Sequence, residues 1–399
     1  MNTQVCIATG QPLANLIALL HFKPQKVIVV ATESMKQNAK NFKKILNDLE
    51  IESVYIADSC PDTDLAKISE FLKEKVLPKL PNESCIFNLT GGTKLHSFSM
   101  YEAFKARHQD DKFIYVDTNN RLIEHYPTAH HASFNEVLPS VLTAQMTLKG
   151  MGKKFITAES DKEDWADEVL QSEELTYFIA NNINDENVKQ LIGDLNGIIG
   201  KLYNGGKSFV LDSKQGELHQ KPKGLARGLL EKAHDLKLIT WHAGSGDRKI
   251  SFDCYAQARY LSGIWLEEYV WFVASKMDFE EVYSGLRFGN QADNEIDLFI
   301  QHQNTALAIE CKSATSTKNS AISQDMFHKL NSVANRASGS LCHKLFVSAF
   351  PLKTKNGNDL PSVNHAREQG IKIVQAQDIV ENLPKLLANW KEKGRLSMK

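Results

Sequence analysis

Apolar positions in residues 1–135 fall into short continuous runs, separated by longer segments with helical spacing. Val5-Cys6-Ile7-Ala8 is the first run, and it ends at the turn Thr9-Gly10-Gln11-Pro12. Leu13, Leu16, Ile17 and Leu20 then recur at the spacing of one helix face. Lys26 to Ala31 is almost wholly β-branched, the pattern of a strand covered on both faces of a parallel sheet. Helices are predicted over 35–49, 64–77 and 95–107, and strands over 53–56, 84–89 and 112–116. Strands alternating with helices of this length predict a parallel, doubly wound, Rossmann-like sheet that the 112–116 strand closes.

Residues 136–255 are mostly helical and polar, and segments such as 161–171 and 187–202 carry no recognisable chemistry. From Lys223 to Ser251 the pattern reads helix, strand, the turn Gly244-Ser245-Gly246-Asp247, and strand, which has winged-helix form. Residues 256–399 read as a helix over 260–277, strands over 295–301 and 305–312, a helix over 324–337 and a strand over 345–349. A strand over 371–374 and a helix over 379–390 follow. The expectation is a three-domain α/β chain divided at 1–135, 136–255 and 256–399.

Composition narrows the class. With 42% hydrophobic and 24% charged residues the chain is globular in character. No apolar run approaches the ~20 residues of a membrane helix, and the N-terminus lacks a basic segment followed by an apolar one. The six cysteines form no CxxC pair, which argues against zinc and a disulfide framework and for a cytoplasmic protein. A net charge of −1 argues against a strongly basic nucleic-acid binder, while leaving local patches and metal ions to handle phosphate.

Chemistry concentrates in NEIDLFIQHQNTALAIECKS, residues 294–313. With Gln303-Asn304 as the hairpin turn, Asp297 falls opposite Glu310, and opposed residues share a face. Two like charges there repel unless a cation lies between them. Lys312, two residues on, points to the same face. Leu298, Ile309 and Cys311 turn away. Carboxylates in this number suit Mg²⁺ or Mn²⁺, with Asp297 and Glu310 as ligands and Lys312 beside the reacting phosphate.

NLTGGTK, residues 88–94, lies between a strand and a helix. It lacks the spacing of a Walker A loop and of G-x-G-x-x-G. What remains is a turn whose backbone N–H groups, with Thr90, Gly91, Gly92, Thr93 and Lys94, cradle an anion at a helix N-terminus. Thr9, Gly10 and Gln11 end the first strand and Thr32 ends the second, so all are expected at the same rim.

Asp297 followed by Glu310-Cys311-Lys312 resembles the PD-(D/E)xK nucleases, with Ile296 in place of the Pro. That resemblance implies a restriction-endonuclease-like fold and a further acid on the preceding helix. Glu267 in GIWLEEY takes the role, with Glu268 as its rival, and Gln324 stands where some of these nucleases keep a polar helper. Joined to a Rossmann-like domain bearing TGQP and NLTGGTK, the chain resembles the CRISPR-associated Rossmann-fold (CARF) ancillary nucleases. The resemblance implies a homodimer whose N-terminal domain binds cyclic tetra-adenylate. Binding then activates Mg²⁺- or Mn²⁺-dependent cleavage of DNA or RNA in type III CRISPR defence. A nucleotide-sensing transcription regulator and a ring nuclease acting on the signal itself are the alternatives.

Overall fold

The computed structural model describes residues 2–203, 214–244, 247–291, 293–313, 324–354, 356–376 and 378–397. In the N-terminal sheet, β1 (Thr3–Ile7), β2 (Lys26–Thr32), β3 (Ser53–Cys60), β4 (Cys85–Asn88) and β5 (Lys112–Asp117) run parallel in the order β3-β2-β1-β4-β5. Helices α1 (Leu13–Phe22), α2 (Lys36–Asn47), α3 (Leu65–Phe71) and α4 (Lys94–Phe104) connect them. The β-branched runs are buried because helices cover both faces, one around Leu16, Val29 and Phe42 and the other around Ile28, Phe87 and Phe104. The strand order reverses between β1 and β4, so the turn after β1 and the loop after β4 meet at the carboxyl edge, where such sheets bind ligands.

The sheet does not close at β5. Two short antiparallel strands, β6 (Leu122–His125) and β7 (Phe134–Val137), extend it. Their polar four-residue patterns gave no strand signal.

The middle region holds α5 (Ala144–Gly150), β8 (Lys154–Thr157), α6 (Trp165–Gln171), α7 (Glu173–Asn182) and α8 (Glu186–Tyr203). It continues with β9 (Gln215–Glu217), α9 (Gly224–Asp235), β10 (Thr240–Trp241) and β11 (Lys249–Ser251). The last three strands form a small sheet in the order β10-β11-β9 against α8 and α9, a winged-helix-like unit. Ser245 and Gly246 of the expected turn lie outside the described residues.

The C-terminal part contains α10 (Tyr255–Arg259), α11 (Trp265–Ser275), β12 (Glu281–Gly289), β13 (Asp293–His302), β14 (Thr305–Lys312) and α12 (Gln324–Ser338). It ends with β15 (Cys342–Ser348), α13 (Pro361–Glu368), β16 (Ile371–Gln375) and α14 (Asp378–Lys393). The sheet order is β16-β15-β14-β13-β12-β8, so a strand from the middle region completes its edge. The sequence pattern missed β12. Gly285 interrupts it at φ +60°, and charged residues blur its alternation. Helices α7, α8, α9, α11 and α14 pack one face around Trp265 and Leu298, while α5, α12 and α13 cover the other around Phe299 and Phe346.

Candidate active site and sensor rim

The β13–β14 hairpin turns at Gln303-Asn304, both left-handed (φ 46° and 62°), as a two-residue hairpin loop requires. Its register runs from His302↔Thr305 to Leu298↔Ile309, as the sequence predicts. Leu298, Ile309 and Cys311 share one apolar cluster. Beyond Leu298 the ladder ends, and Asp297 Oδ2 instead accepts the backbone N–H of Cys311 at 2.7 Å. That bond clips the Asp297 carboxylate to the Glu310-Cys311-Lys312 strand.

Glu310 is buried, and Lys329 Nζ on α12 stands 3.6 Å from its Oε1. Ser313 Oγ donates to the Ser262 carbonyl at 2.6 Å, tying the end of β14 to the turn that leads into α11. Helix α11 thereby delivers Glu267 to the same group. Burial raises the Glu267 carboxyl to about 7; Arg259 opposes this, Glu295 and Glu310 add to it, and Lys312 offsets part. Burial, then Glu310 and Glu267, push Asp297 well above the ordinary carboxylate range. Glu310 is raised by burial and by Glu295, against the pull of Lys329 and Lys312. Glu267, Asp297, Glu310 and Lys312 thus act on one another in a poorly solvated pocket.

Glu268, the rival, faces the other way. It is buried with Oε2 at 2.7 Å from Ser172 Oγ and 3.3 Å from Thr176 Oγ1, so it joins α11 to α7. Ser172 Oγ also lies 2.9 Å from the Val169 carbonyl. One hydroxyl proton cannot serve both acceptors, which suits a protonated Glu268, raised by burial to about 7.

Among the described residues no three His, Cys, Asp or Glu side chains are gathered closely enough to form a metal cage. Asp297 and Glu310 offer two hard oxygen donors whose mutual repulsion a divalent cation relieves. Such a donor set fits Mg²⁺ or Mn²⁺, which complete their shell with water and phosphate oxygens. Three charged neighbours escaped sequence reasoning. Glu295 was legible, two residues before Asp297. Lys329 and Arg259 gave no signal, because only tertiary packing brings their helices to the hairpin. Gln324 begins α12, and its side chain lies outside the described residues.

At the N-terminal rim a line of hydrogen bonds crosses the sheet. Val116 N–H donates to Thr90 Oγ1 (2.8 Å), and Thr90 donates through N–H and Oγ1 to Asn88 Oδ1 (3.0 and 2.6 Å). Asn88 Nδ2 donates to Asn15 Oδ1 (3.2 Å), and Asn15 Nδ2 to the Ile7 carbonyl (2.8 Å). Thr90 is therefore engaged on both sides and shapes the loop. Gly91 lies so close to β1 that a Cβ would sit 2.2 Å from the Ile7 oxygen. Gly92 has φ +76°, and a Cβ there would meet Ile7 Cγ2 at 2.5 Å.

Thr93 sits at the head of α4. His96 Nε2 lies 2.8 Å from the Pro61 carbonyl and must donate to it, so Nδ1 accepts from the Thr93 hydroxyl (2.8 Å) and N–H (3.3 Å). Lys94 is exposed and, among the described residues, has no acidic partner. Thr9 and Gly10 reach the rim, with Thr9 Oγ1 accepting the Gln11 N–H at 3.2 Å.

Two of the expected rim residues have other partners. Thr32 is buried, with its hydroxyl 2.9 Å from Ser34 Oγ. Gln11 reaches away from the rim, and its Oε1 accepts the Ser340 N–H at 3.2 Å. The sequence could not have revealed Asn15, Asn88 and His96 as the frame of the loop, since each is an ordinary polar residue until the strands are placed.

Comparison with known proteins finds two family models along the chain. The Card1 CARF domain family model matches residues 3–143, and the Card1-like endonuclease domain model matches residues 254–394. A search of curated proteins by sequence finds no match. Can2 from Sulfobacillus thermosulfidooxidans, solved in complex with cyclic tetra-adenylate, is similar in structure with a TM-score of 0.73 and 21% identity. The match covers 98% of this chain and 96% of that one. Protein VC1899 from Vibrio cholerae superposes with a TM-score of 0.75 and 17% identity over 99% of both chains. These two likenesses extend the shared fold through the middle region, between the two family matches. With a CARF domain in front and a nuclease domain behind, the chain belongs to the Card1-like family of CARF endonucleases.

Proposed function

We propose that this protein is a metal-dependent endonuclease of type III CRISPR defence, switched on by cyclic tetra-adenylate and working as a homodimer. The observation that carries the reading is the Asp297–Cys311 hydrogen bond, which holds Asp297 against the Glu310-Cys311-Lys312 strand at the end of one hairpin, with Glu267 of α11 near enough to act on Asp297 and to be acted on by Glu310 and Lys312. Buried carboxylates raised by one another are a poor structural choice and a good cation site. Asp297 and Glu310 would hold Mg²⁺ or Mn²⁺. The bound cation supplies Lewis acidity and a water of lowered pKa. Lys312 steadies the attacking hydroxide and the charge that grows on phosphorus. Glu267, at about 7, is suited to take a proton from the attacking water.

For the sensor, support comes from the loop geometry. Lys94 is exposed at the head of α4, and Gly10 is exposed at the end of β1. Leu95 and Phe98, 38% and 56% exposed on α4, continue this surface as an apolar patch that a second copy would cover. A two-fold dimer then presents two Lys94 side chains to one phosphate ring. A transcription regulator has no use for the carboxylate cluster, although the winged-helix-like unit is compatible with one.

The test is cleavage of plasmid and single-stranded DNA and RNA, with Mg²⁺, Mn²⁺ or chelator, and with a panel of cyclic oligoadenylates. Activator-dependent cleavage that chelator abolishes is expected. Specific duplex binding with no cleavage in any combination sinks the reading in favour of a regulator. Loss of the ring in the Glu310→Ala variant, followed by mass spectrometry, favours the ring nuclease.

A further inference from the structure

A cavity of about 910 Å³ opens between the CARF sheet and the nuclease sheet, and no residue of the Thr90–Lys94 loop lines it. Its walls are α2, the α5–β8 segment and the β12–β13 turn, with Thr9 and Gly10 at one end. Four lysines line it: Lys44 from α2, Lys149 from α5, and Lys153 and Lys154 leading into β8. Among the described residues on its lining Asp48 is the only acid, and that carboxylate is already 3.6 Å from Lys149 Nζ. Among the described residues Lys44, Lys153 and Lys154 have no acidic partner. In a chain of net charge −1, this is a local excess of positive charge in a concave site.

The site is also held in shape. Asn290 Nδ2 donates to the Gly152 carbonyl at 2.7 Å, which pins the β12–β13 turn to the α5–β8 segment. A Cβ on Gly150 would lie 2.5 Å from Leu13 Cδ2, so α5 is seated directly on α1. Asn38 and Asn41 add neutral donors along the α2 wall. A fixed cavity within the ~300–1,000 Å³ range of ligand sites, with lysines and amides but no free carboxylate, suits an extended anion of repeated phosphates.

We infer that this inter-domain cavity is a binding site for a phosphodiester chain, one that adjoins the sensor rim at Thr9 and Gly10 and extends beyond the Thr90–Lys94 loop, none of whose residues lines it. The inference rests on the nucleotide-activated nuclease reading only for the two sources of such a chain, a substrate strand or the cyclic signal. Lysines from both domains converge there, so an occupant would bridge the two.

The test is binding by the full-length chain in chelator, where cleavage is silent. Fluorescence anisotropy follows a labelled oligothymidylate, and calorimetry follows cyclic tetra-adenylate, at several salt concentrations. For Lys153→Glu/Lys154→Glu we expect about tenfold weaker binding of one probe. Its log–log salt slope should become shallower by about 1 to 2. Lys153→Arg/Lys154→Arg should keep both affinities, and Lys44→Gln, on the opposite wall, should weaken the same probe by severalfold. Loss confined to the oligothymidylate identifies the substrate strand, and loss confined to the cyclic probe identifies the signal. Affinities and slopes within twofold of the parent for both probes, in variants that melt like the parent, overturn the proposal. Failure of the nuclease reading would appear separately, as no cleavage with metal present, and leaves this readout intact.

Discussion

Gln11 Oε1 accepts the backbone N–H of Ser340 at 3.2 Å, and a Cβ built on Gly339 would fall 1.9 Å from that same oxygen. The turn that ends β1 therefore touches the short link between α12 and β15. Helix α12 carries Lys329, the partner of Glu310, and β15 is paired along β14 from Ala306 to Lys312. A shift at the sensor edge has a direct mechanical route to the carboxylates. We predict that Gln11→Ala lowers activator-stimulated cleavage about tenfold while activator affinity stays within about threefold. Cleavage titrations beside calorimetry check this, and undiminished stimulation would remove Gln11 from the route.

Asp297→Asn keeps an acceptor for the Cys311 N–H but removes the charge. Cleavage should fall at least about 100-fold, with activator affinity and thermal melting close to the parent. Near-parental rates in this variant would place the chemistry elsewhere.

Lys94 is the rim cation without an acidic partner. Lys94→Ala should raise the activator concentration for half-maximal cleavage about tenfold, the worth of one charged hydrogen bond to phosphate, and leave the maximal rate unchanged. An unchanged activation curve would show that the loop does not hold the ligand.

Glu268 makes a pH prediction that concerns stability alone. Its folded pKa of about 7 lies above its ordinary value, so the folded chain holds a proton that the unfolded chain gives up. Stability should therefore fall as pH rises through the window from the ordinary carboxylate range to about 7, by up to about 3 kcal/mol. Glu268→Gln mimics the protonated form, keeps partners for Ser172 and Thr176, and should raise the melting temperature at pH 8 much more than at pH 5. Equal shifts at the two pH values would mean that Glu268 is charged in the fold.

What the sequence made legible was what local pattern dictates. The parallel strands stood out because helices bury both their faces, leaving runs such as Val27 to Ala31 with no polar residue. The hairpin register was countable because the loop at Gln303-Asn304 leaves no slack. Choosing Glu267 over Glu268 was not decidable locally. The two are adjacent, and only the placing of Ser172 and Thr176, nearly a hundred residues earlier, shows that Glu268 is engaged with α7. Thr32 and Thr90 carry the right hydroxyls for a phosphate site, and both have partners within the fold, Ser34 for Thr32 and Asn88 for Thr90, that only the placed strands reveal. The glycine pair at 91–92 also answers a packing need that the sequence does not show, since Ile7 lies against both.

The edge strand β8 changes what counts as a unit of inheritance. It belongs to the nuclease sheet, yet the 123 residues from 158 to 280 separate it from β12, against which it pairs at Arg287 to Gly289. Cutting the chain at 256 would strip that partner and bare a strand edge prone to pairing with other chains. Recombination that exchanged sensors or effectors at the apparent boundary would be selected against, unless it carried the segment around 154–157 along. The module that evolution can trade is thus discontinuous, and a chimera built from the linear boundaries should be less soluble than one that respects the sheet.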